Sequence, residues 1–200
     1  MLKLQALLII ILIFANSACK KEEPNPTEPI TPVEPPIYVP IYEPGDTSMG
    51  AVYANKLTAI WRASIYCKTA YLDTTKIGIV FYTFTNSGSI REILVLGAIP
   101  KHNGLGKYAF HTDVHTPAPL GTVFTSYGTF SSDGDVSEDY YLVDSTDLKN
   151  GLVITRIDLP NKRLEGSFHV SYNLQEPQLN QLNPKKVTFS EGHFWATIRD

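Results

Sequence analysis

The sequence predicts an all-β domain, an antiparallel β-sandwich or barrel of about ten short strands over residues 49–200, behind a signal segment (1–18) and a disordered Pro-rich tether (19–48). Three observations lead there: apolar and polar residues alternate with a period of two from residue 51 onward, turn-forming residues interrupt these runs at short intervals, and no long amphipathic helix is evident. The clearest run sets Leu164, Gly166, Phe168, Val170 and Tyr172 on one side and Glu165, Ser167, His169 and Ser171 on the other. That is the pattern of a half-buried strand, and it pairs naturally with 152–157 across the turn-prone residues 158–162. Similar runs occupy 51–57, 61–71, 77–85, 90–96, 122–130, 138–143, 185–190 and 193–199, with 86–89, 133–135 and Glu191-Gly192 as punctuation. Residues 144–150 suit a single helical turn. About 150 residues can bury a sizeable core without disulfides, and Cys67, in Ile65-Tyr66-Cys67-Lys68, is expected to pack inside as a small apolar residue.

The segment ahead of this domain is built for export. Lys3 supplies a positive charge, residues 7–14 are apolar throughout, and Ala15-Asn16-Ser17-Ala18 turns small. About twelve apolar residues at ~1.5 Å each span ~18 Å, short of a hydrocarbon core of ~30 Å, so cleavage is expected rather than a permanent span. Eight of the fourteen prolines then fall between residues 20 and 46, interspersed with Glu28, Glu34 and Glu43. Proline fixes φ and removes backbone donors, so this stretch is expected to be an extended, solvated spacer with a reach of up to ~80 Å. The leader carries +1 and residues 20–46 carry −4, which leaves the domain neutral within a chain of net charge −3. Without a basic excess, the domain has no evident electrostatic means of capturing nucleic acid.

Ser17-Ala18-Cys19 resembles the bacterial lipobox, in which a leader is cut before a cysteine that then receives acyl chains; Asn16 stands where an aliphatic residue is usual. Two or three acyl chains make membrane departure negligible, at ~0.8 kcal/mol per buried CH₂. Cys19-Lys20-Lys21-Glu22-Glu23 resembles the lipoprotein export signal of Bacteroidetes, with Lys21, Glu22 and Glu23 as the matching residues. The resemblance implies a lipid-anchored protein of the outer membrane that faces the cell exterior. Within the domain, Trp61-Arg62-Ala63, Thr155-Arg156-Ile157-Asp158, Gly166-Ser167-Phe168 and Gly192-His193-Phe194 follow the order found in a group of Bacteroidetes lipoproteins of unknown function, which the chain resembles over most of 51–199. Ser167 replaces a usual threonine, and Lys56 stands where a glycine normally follows Asn55. That resemblance implies a fold and brings no catalytic residues.

The residues themselves offer several weak sites. If extended, His111-Thr112-Asp113-Val114-His115 turns His111, Asp113 and His115 to one face, where imidazole and carboxylate could hold a divalent metal, with His102 as a further ligand. Asp133, Asp135, Glu138 and Asp139 could offer oxygens to calcium, although without the spacing of an EF-hand loop. Phe124-Thr125-Ser126-Tyr127-Gly128 lacks the first glycine of a nucleophile elbow. Most aromatic residues suit core positions, and Tyr140-Tyr141 must face opposite ways. Trp195 lies on the side of its strand opposite Phe194, Ala196 and Ile198.

Taken together, these features predict a lipid-anchored, non-enzymatic binding or interaction module without a cofactor, whose partners are the membrane through its anchor and a glycan or protein ligand. The alternative is a hydrolase or glycan-binding accessory protein in nutrient uptake, and a third reading places an apolar ligand inside a barrel. An exposed tyrosine or tryptophan row would favour glycan binding, and an empty apolar interior would favour lipid carriage.

Overall fold

Ten β-strands and no α-helix make up the described residues, 49–111 and 119–200, of the computed structural model. In chain order they are β1 (Gly50–Lys56), β2 (Ala59–Thr69), β3 (Lys76–Phe84), β4 (Ile90–Pro100), β5 (Gly106–His111), β6 (Thr122–Phe130), β7 (Ser137–Val143), β8 (Gly151–Asp158), β9 (Arg163–Leu174) and β10 (Lys186–Arg199). All belong to one sheet. Antiparallel ladders run β1–β2–β3–β4–β6–β7–β9–β10, and β10 pairs back to β1, so the ladder returns to its starting strand. Strands β6 and β9 are long enough to use one flank twice. Their stretches 127–130 and 172–174 hold β7, while 122–124 and 163–169 hold β5 and β8, which also pair with each other. The expectation of a wholly antiparallel sheet needs one correction, because β5 runs parallel to β6 and the end of β10 runs parallel to β2.

The predicted hairpin of 152–157 with 164–172 forms as β8–β9, with Asp158 opposite Arg163 and Lys162 at φ 52° in the turn. The strand count agrees with expectation for reasons that offset each other. Strand β5 lies in residues that none of the expected runs covers, and the two runs 185–190 and 193–199 are one strand, β10. Glu191-Gly192 is a β-bulge rather than a turn. Phe189 faces Val170 and Gly192 faces Phe168 on β9, so two residues of β10 oppose the single residue His169. The extra residue reverses the facing parity: Val187 and Phe189 point inward before it, and Phe194, Ala196 and Ile198 after it. Residues 144–150 form two successive turns instead of a helical one, closed by Asp147 N to Asp144 O (3.1 Å) and Asn150 N to Asp147 O (3.1 Å).

Inward side chains fill the middle of the sheet. Trp61 lies edge-on to Phe189 (4.9 Å between ring centroids) and Phe81 (6.1 Å), while Tyr127 contacts Tyr141, Tyr172 and Phe189 at 5.0, 5.7 and 5.2 Å. Burying a side chain of this size contributes roughly 1.5–3 kcal/mol. Two glycines make the packing between β9 and β10 possible. Phe194 is paired with Gly166 and Phe168 with Gly192, and a Cβ on either glycine would lie within 2.8 Å of the facing phenylalanine ring. Each Gly-x-Phe thus supplies a ring to cover the glycine of its neighbour. Cys67 is buried as expected, and burial pushes its thiol up to about 12.

One cluster inside is charged. Lys56, at the inward end of β1, donates to Glu92 and to the Tyr127 hydroxyl (2.9 Å), and that hydroxyl donates to Glu92 Oε1 (2.7 Å). Glu92 Oε2 accepts from Trp61 Nε1 and Thr83 Oγ1, each at 3.1 Å. Both oxygens of this carboxylate are therefore fully used. Beside the cluster, residues 175–185 are tied across β7: Asp139 accepts from the Leu179 amide (2.7 Å) and from Asn183 Nδ2 (2.7 Å), and the Tyr141 hydroxyl donates to Pro184 O (2.9 Å).

Candidate functional site

The β10 bulge shapes the outer surface as well as the core. Glu191 adopts φ 51°, a left-handed conformation that a non-glycine residue takes at a cost, and Gly192 lets the strand pass over Phe168. Against β1 the same extra residue intervenes, since Tyr53 faces His193 and Asn55 faces Ser190. Asn55 Nδ2 consequently reaches Glu191 Oε2 (2.9 Å), and the Tyr53 ring stacks on His193 with centroids 5.3 Å apart and planes 29° apart. Tyr53 remains 54% exposed, so an aromatic surface faces solvent beside a carboxylate whose position is fixed by an amide.

Around this centre lies an open hollow of about 750 Å³ lined by Tyr53, Asn55, Ile60, Arg62, Glu191 and His193, among others. A second, of about 540 Å³, lies across β10 and is lined by Lys107, Lys149, Ser167, His169 and, again, Glu191 and His193. The shared residues join the two. Registers place Arg62 opposite Tyr53, Tyr53 opposite His193, His193 opposite Ser167, Ser167 opposite Val153 and Val153 opposite Lys107, which is one row across six strands. Volumes of this size fall in the range that small ligands occupy.

Behind His169, which lines the second hollow, lie Asp147 and Ser171, but the three are not in the order of a nucleophilic triad. Asp147 Oδ2 accepts from both Ser171 Oγ (2.6 Å) and His169 Nε2 (3.2 Å), and Ser171 is 1% exposed. A nucleophilic serine needs a base positioned to take its proton, with the carboxylate behind that base. Here the carboxylate stands between them, and the bonds pin the turn 144–150 onto β9, helped by Asn150 Oδ1 accepting from the Ser171 amide (2.7 Å). The Ser171 hydroxyl, followed by the Lys149 amide and His169, holds the Asp147 carboxyl down at about 2.

The residues singled out from sequence are dispersed. His111 ends β5 with its ring edge-on to Phe124 at 6.1 Å; Asp113 and His115 lie outside the described residues, as do Cys19, Lys21, Glu22 and Glu23. His102 sits in the turn after β4, and among the described residues no group of three His, Cys, Asp or Glu side chains converges for a metal. The acidic stretch considered for calcium separates: Asp133 accepts from the Asp135 amide (3.2 Å) at a hairpin tip, Glu138 pairs with Arg91 (3.2 Å), and Asp139 turns to Asn183. Tyr140 is exposed and Tyr141 buried, as alternation requires, while Trp195 is partly covered by the Arg163 guanidinium 4.5 Å above its ring. Sequence reading missed the groove itself. Its one local sign is Tyr53, a large aromatic between the inward-facing Val52 and Ala54.

Comparison with known proteins leaves the assignment to this geometry, since the chain matches no protein-family model, no curated protein and no solved structure.

Proposed function

We propose that this protein is a non-enzymatic binding module, held on the outer face of the outer membrane by acyl chains on Cys19 and extended from it by the proline-rich segment 19–48. The observation that carries the binding role is the groove around Tyr53, Glu191 and His193, which offers an aromatic face, a carboxylate, an amide and an imidazole outside a filled core. Interior rings contact one another at 4.9–6.4 Å, which favours a surface seat over an apolar ligand held within. The separation of Ser171 from His169 by Asp147 favours binding over hydrolysis. The alternative of an accessory role in nutrient uptake shares the same groove and differs only in what is done with the captured ligand.

Anchoring is tested by growing cells with radiolabelled palmitate. The wild-type chain is expected to incorporate label and to be removed by protease from intact cells, whereas Cys19→Ser is expected to remain unlabelled. Label-free wild-type protein recovered from the medium without detergent would overturn the anchor.

A further inference from the structure

The domain is formally neutral, yet its charges are sorted by end. One end is made of the connections 70–75 and 101–105, the turn 158–162 and the close of β10, joined by Lys101 N to Thr75 O (2.7 Å) and Ile198 N to Lys162 O (2.6 Å). Lys68, Lys76, Lys101, Lys107, Lys162 and Arg199 lie there beside two acids. Asp73 is engaged by Lys76 (3.2 Å), and Asp200 by Lys162 (2.6 Å) with Lys101 further away. Arg156, Asp158, Arg163 and Glu165, at the side, balance one another in three ion pairs. Among the described residues no carboxylate pairs with Lys68, Lys101, Lys107 or Arg199. Lys68 and Arg199 are direct neighbours in the β2–β10 ladder and both point outward, with the Arg199 guanidinium 5.2 Å from the Tyr66 ring. Like charges set opposite each other on a sheet cost free energy, and an anion over them relieves it.

Apolar side chains project from the same end. Tyr71 is 90% and Leu72 94% exposed in the β2–β3 connection, and Leu105 is 62% exposed just ahead of β5. Such side chains gain by leaving water for an apolar medium, and a tyrosine suits the boundary between the two. The opposite end also exposes leucines, Leu179 and Leu182, but in the company of Asp133, Asp135, Glu138 and Glu176. An anionic lipid surface therefore attracts the first end and repels the second. The course of the chain agrees with this polarity. It enters β1 at Gly50, opposite Ala196, and runs from there away from the basic end toward Asn55, opposite Ser190.

We propose that the domain docks by this basic end on an anionic lipid bilayer, with Tyr71, Leu72 and Leu105 at the level of the headgroups and Lys68, Lys101, Lys107 and Arg199 toward lipid phosphates. This rests on the reading of the chain as lipid-anchored and adds how the domain sits on its membrane. The spacer expected between Cys19 and β1 limits only how far the domain can stray. Glu191 precedes Arg199 by about eight residues on β10, which at ~3.3 Å each sets the groove up to ~26 Å from the lipid, on the side open to a ligand. A soluble polyanion, the rival occupant, would meet the cations and leave the three apolar side chains in water.

The test reconstitutes the full-length chain with vesicles of phosphatidylcholine, alone or mixed with phosphatidylglycerol. A fluorophore is attached at Leu72→Cys or, in a separate chain, at Leu182→Cys, and its quenching by lipids brominated on their acyl chains is read. Cys67 is buried and stays unlabelled, and the chain with neither substitution serves as the blank. With anionic vesicles at low ionic strength, the label at 72 is expected to be quenched about threefold or more strongly than the label at 182, and than the same label with neutral vesicles. Added salt, and the triple change Lys68→Gln, Lys101→Gln and Lys107→Gln, are each expected to remove about half or more of that quenching, with unchanged unfolding midpoints showing an intact fold. Equal quenching at 72 and 182, equal quenching at 72 with neutral and anionic vesicles, none at 72 with anionic vesicles, or indifference to the triple change would each overturn the proposal. Flotation with neutral vesicles scores the anchor separately. A chain left behind there but quenched at 72 by anionic vesicles loses the anchor and keeps the docked end, whereas one that floats with its label unquenched keeps the anchor and loses the docking.

Discussion

Two clusters in this protein draw on the same kinds of residue and put them to opposite uses. Inside, Glu92, Lys56 and Tyr127 form a buried set in which both oxygens of the carboxylate accept hydrogen bonds and the tyrosine hydroxyl both accepts and donates. Outside, Glu191, Arg62 and Tyr53 line an open groove, where Glu191 Oε2 accepts from Asn55 Nδ2 (2.9 Å). A buried carboxylate and ammonium must be paired and hydrogen-bonded because desolvation costs several kcal/mol per ion. At the surface water meets that demand, so side chains there can be arranged for something that arrives later. Residue type alone therefore does not mark a functional site; what separates the two clusters is how far each is withdrawn from water.

The largest effect that tests this contrast comes from removing the inner acid. Glu92→Leu leaves the Lys56 ammonium buried without its carboxylate and is expected to cost ~3–5 kcal/mol of unfolding free energy, whereas the double variant Lys56→Met, Glu92→Leu recovers most of that loss. Glu191→Gln is expected to change stability by no more than ~0.5 kcal/mol, as exposed substitutions usually do. Denaturant titrations of the three variants measure the difference, and equal losses at Glu92 and Glu191 would erase the distinction between the clusters.

Gly192→Ala probes the point where core and groove meet. An added Cβ would lie 2.6 Å from the Phe168 ring, and overpacking of this kind costs typically ~1–3 kcal/mol. Because Gly192 lies between Glu191 and His193, the same change is expected to disturb the stacking of Tyr53 on His193. Chemical shifts of the His193 ring, recorded beside the unfolding midpoint, report both; a loss of stability with the ring unmoved would separate the bulge from the groove.

A smaller effect is expected from pH. The Asp147 carboxyl is held at about 2 in the folded chain, below its unfolded value of ~3.9, so its contribution is fully present above about pH 4 and is lost as pH falls toward 2. Ser171→Ala removes the largest cause of that depression and is expected to make unfolding free energy less steep in this interval. An unchanged slope would show that the turn 144–150 does not depend on that hydroxyl.

Much of the fold was legible because burial in a sheet imposes a period of two. Strands β1, β3, β6 and β9 declare themselves by alternation alone, and the same alternation puts Lys56 on the face of Val52 and Ala54, and Glu92 on the face of Leu94 and Leu96. That these two charges meet was not legible, because it depends on β1 and β4 facing each other across a core. Strand β5 was missed because its residues are mostly exposed or half-exposed, which leaves no alternation to see. The join in β10 was misread because a bulge reverses parity, which in sequence looks like the end of one strand and the start of another. For the same reason the groove stayed hidden: the meeting of Tyr53 with His193, and of Asn55 with Glu191, follows from the register that the extra residue sets. The Gly-x-Phe pairs were visible only as a resemblance, and their physical task emerged when Phe194 was found over Gly166 and Phe168 over Gly192.

Each strand described here has a neighbour along both flanks, since the ladder comes back to β1. Along the paired stretches of the described residues the main chain is already engaged on both flanks, which leaves recognition there to side chains. Two copies of the domain are likewise spared edge-to-edge association along those stretches.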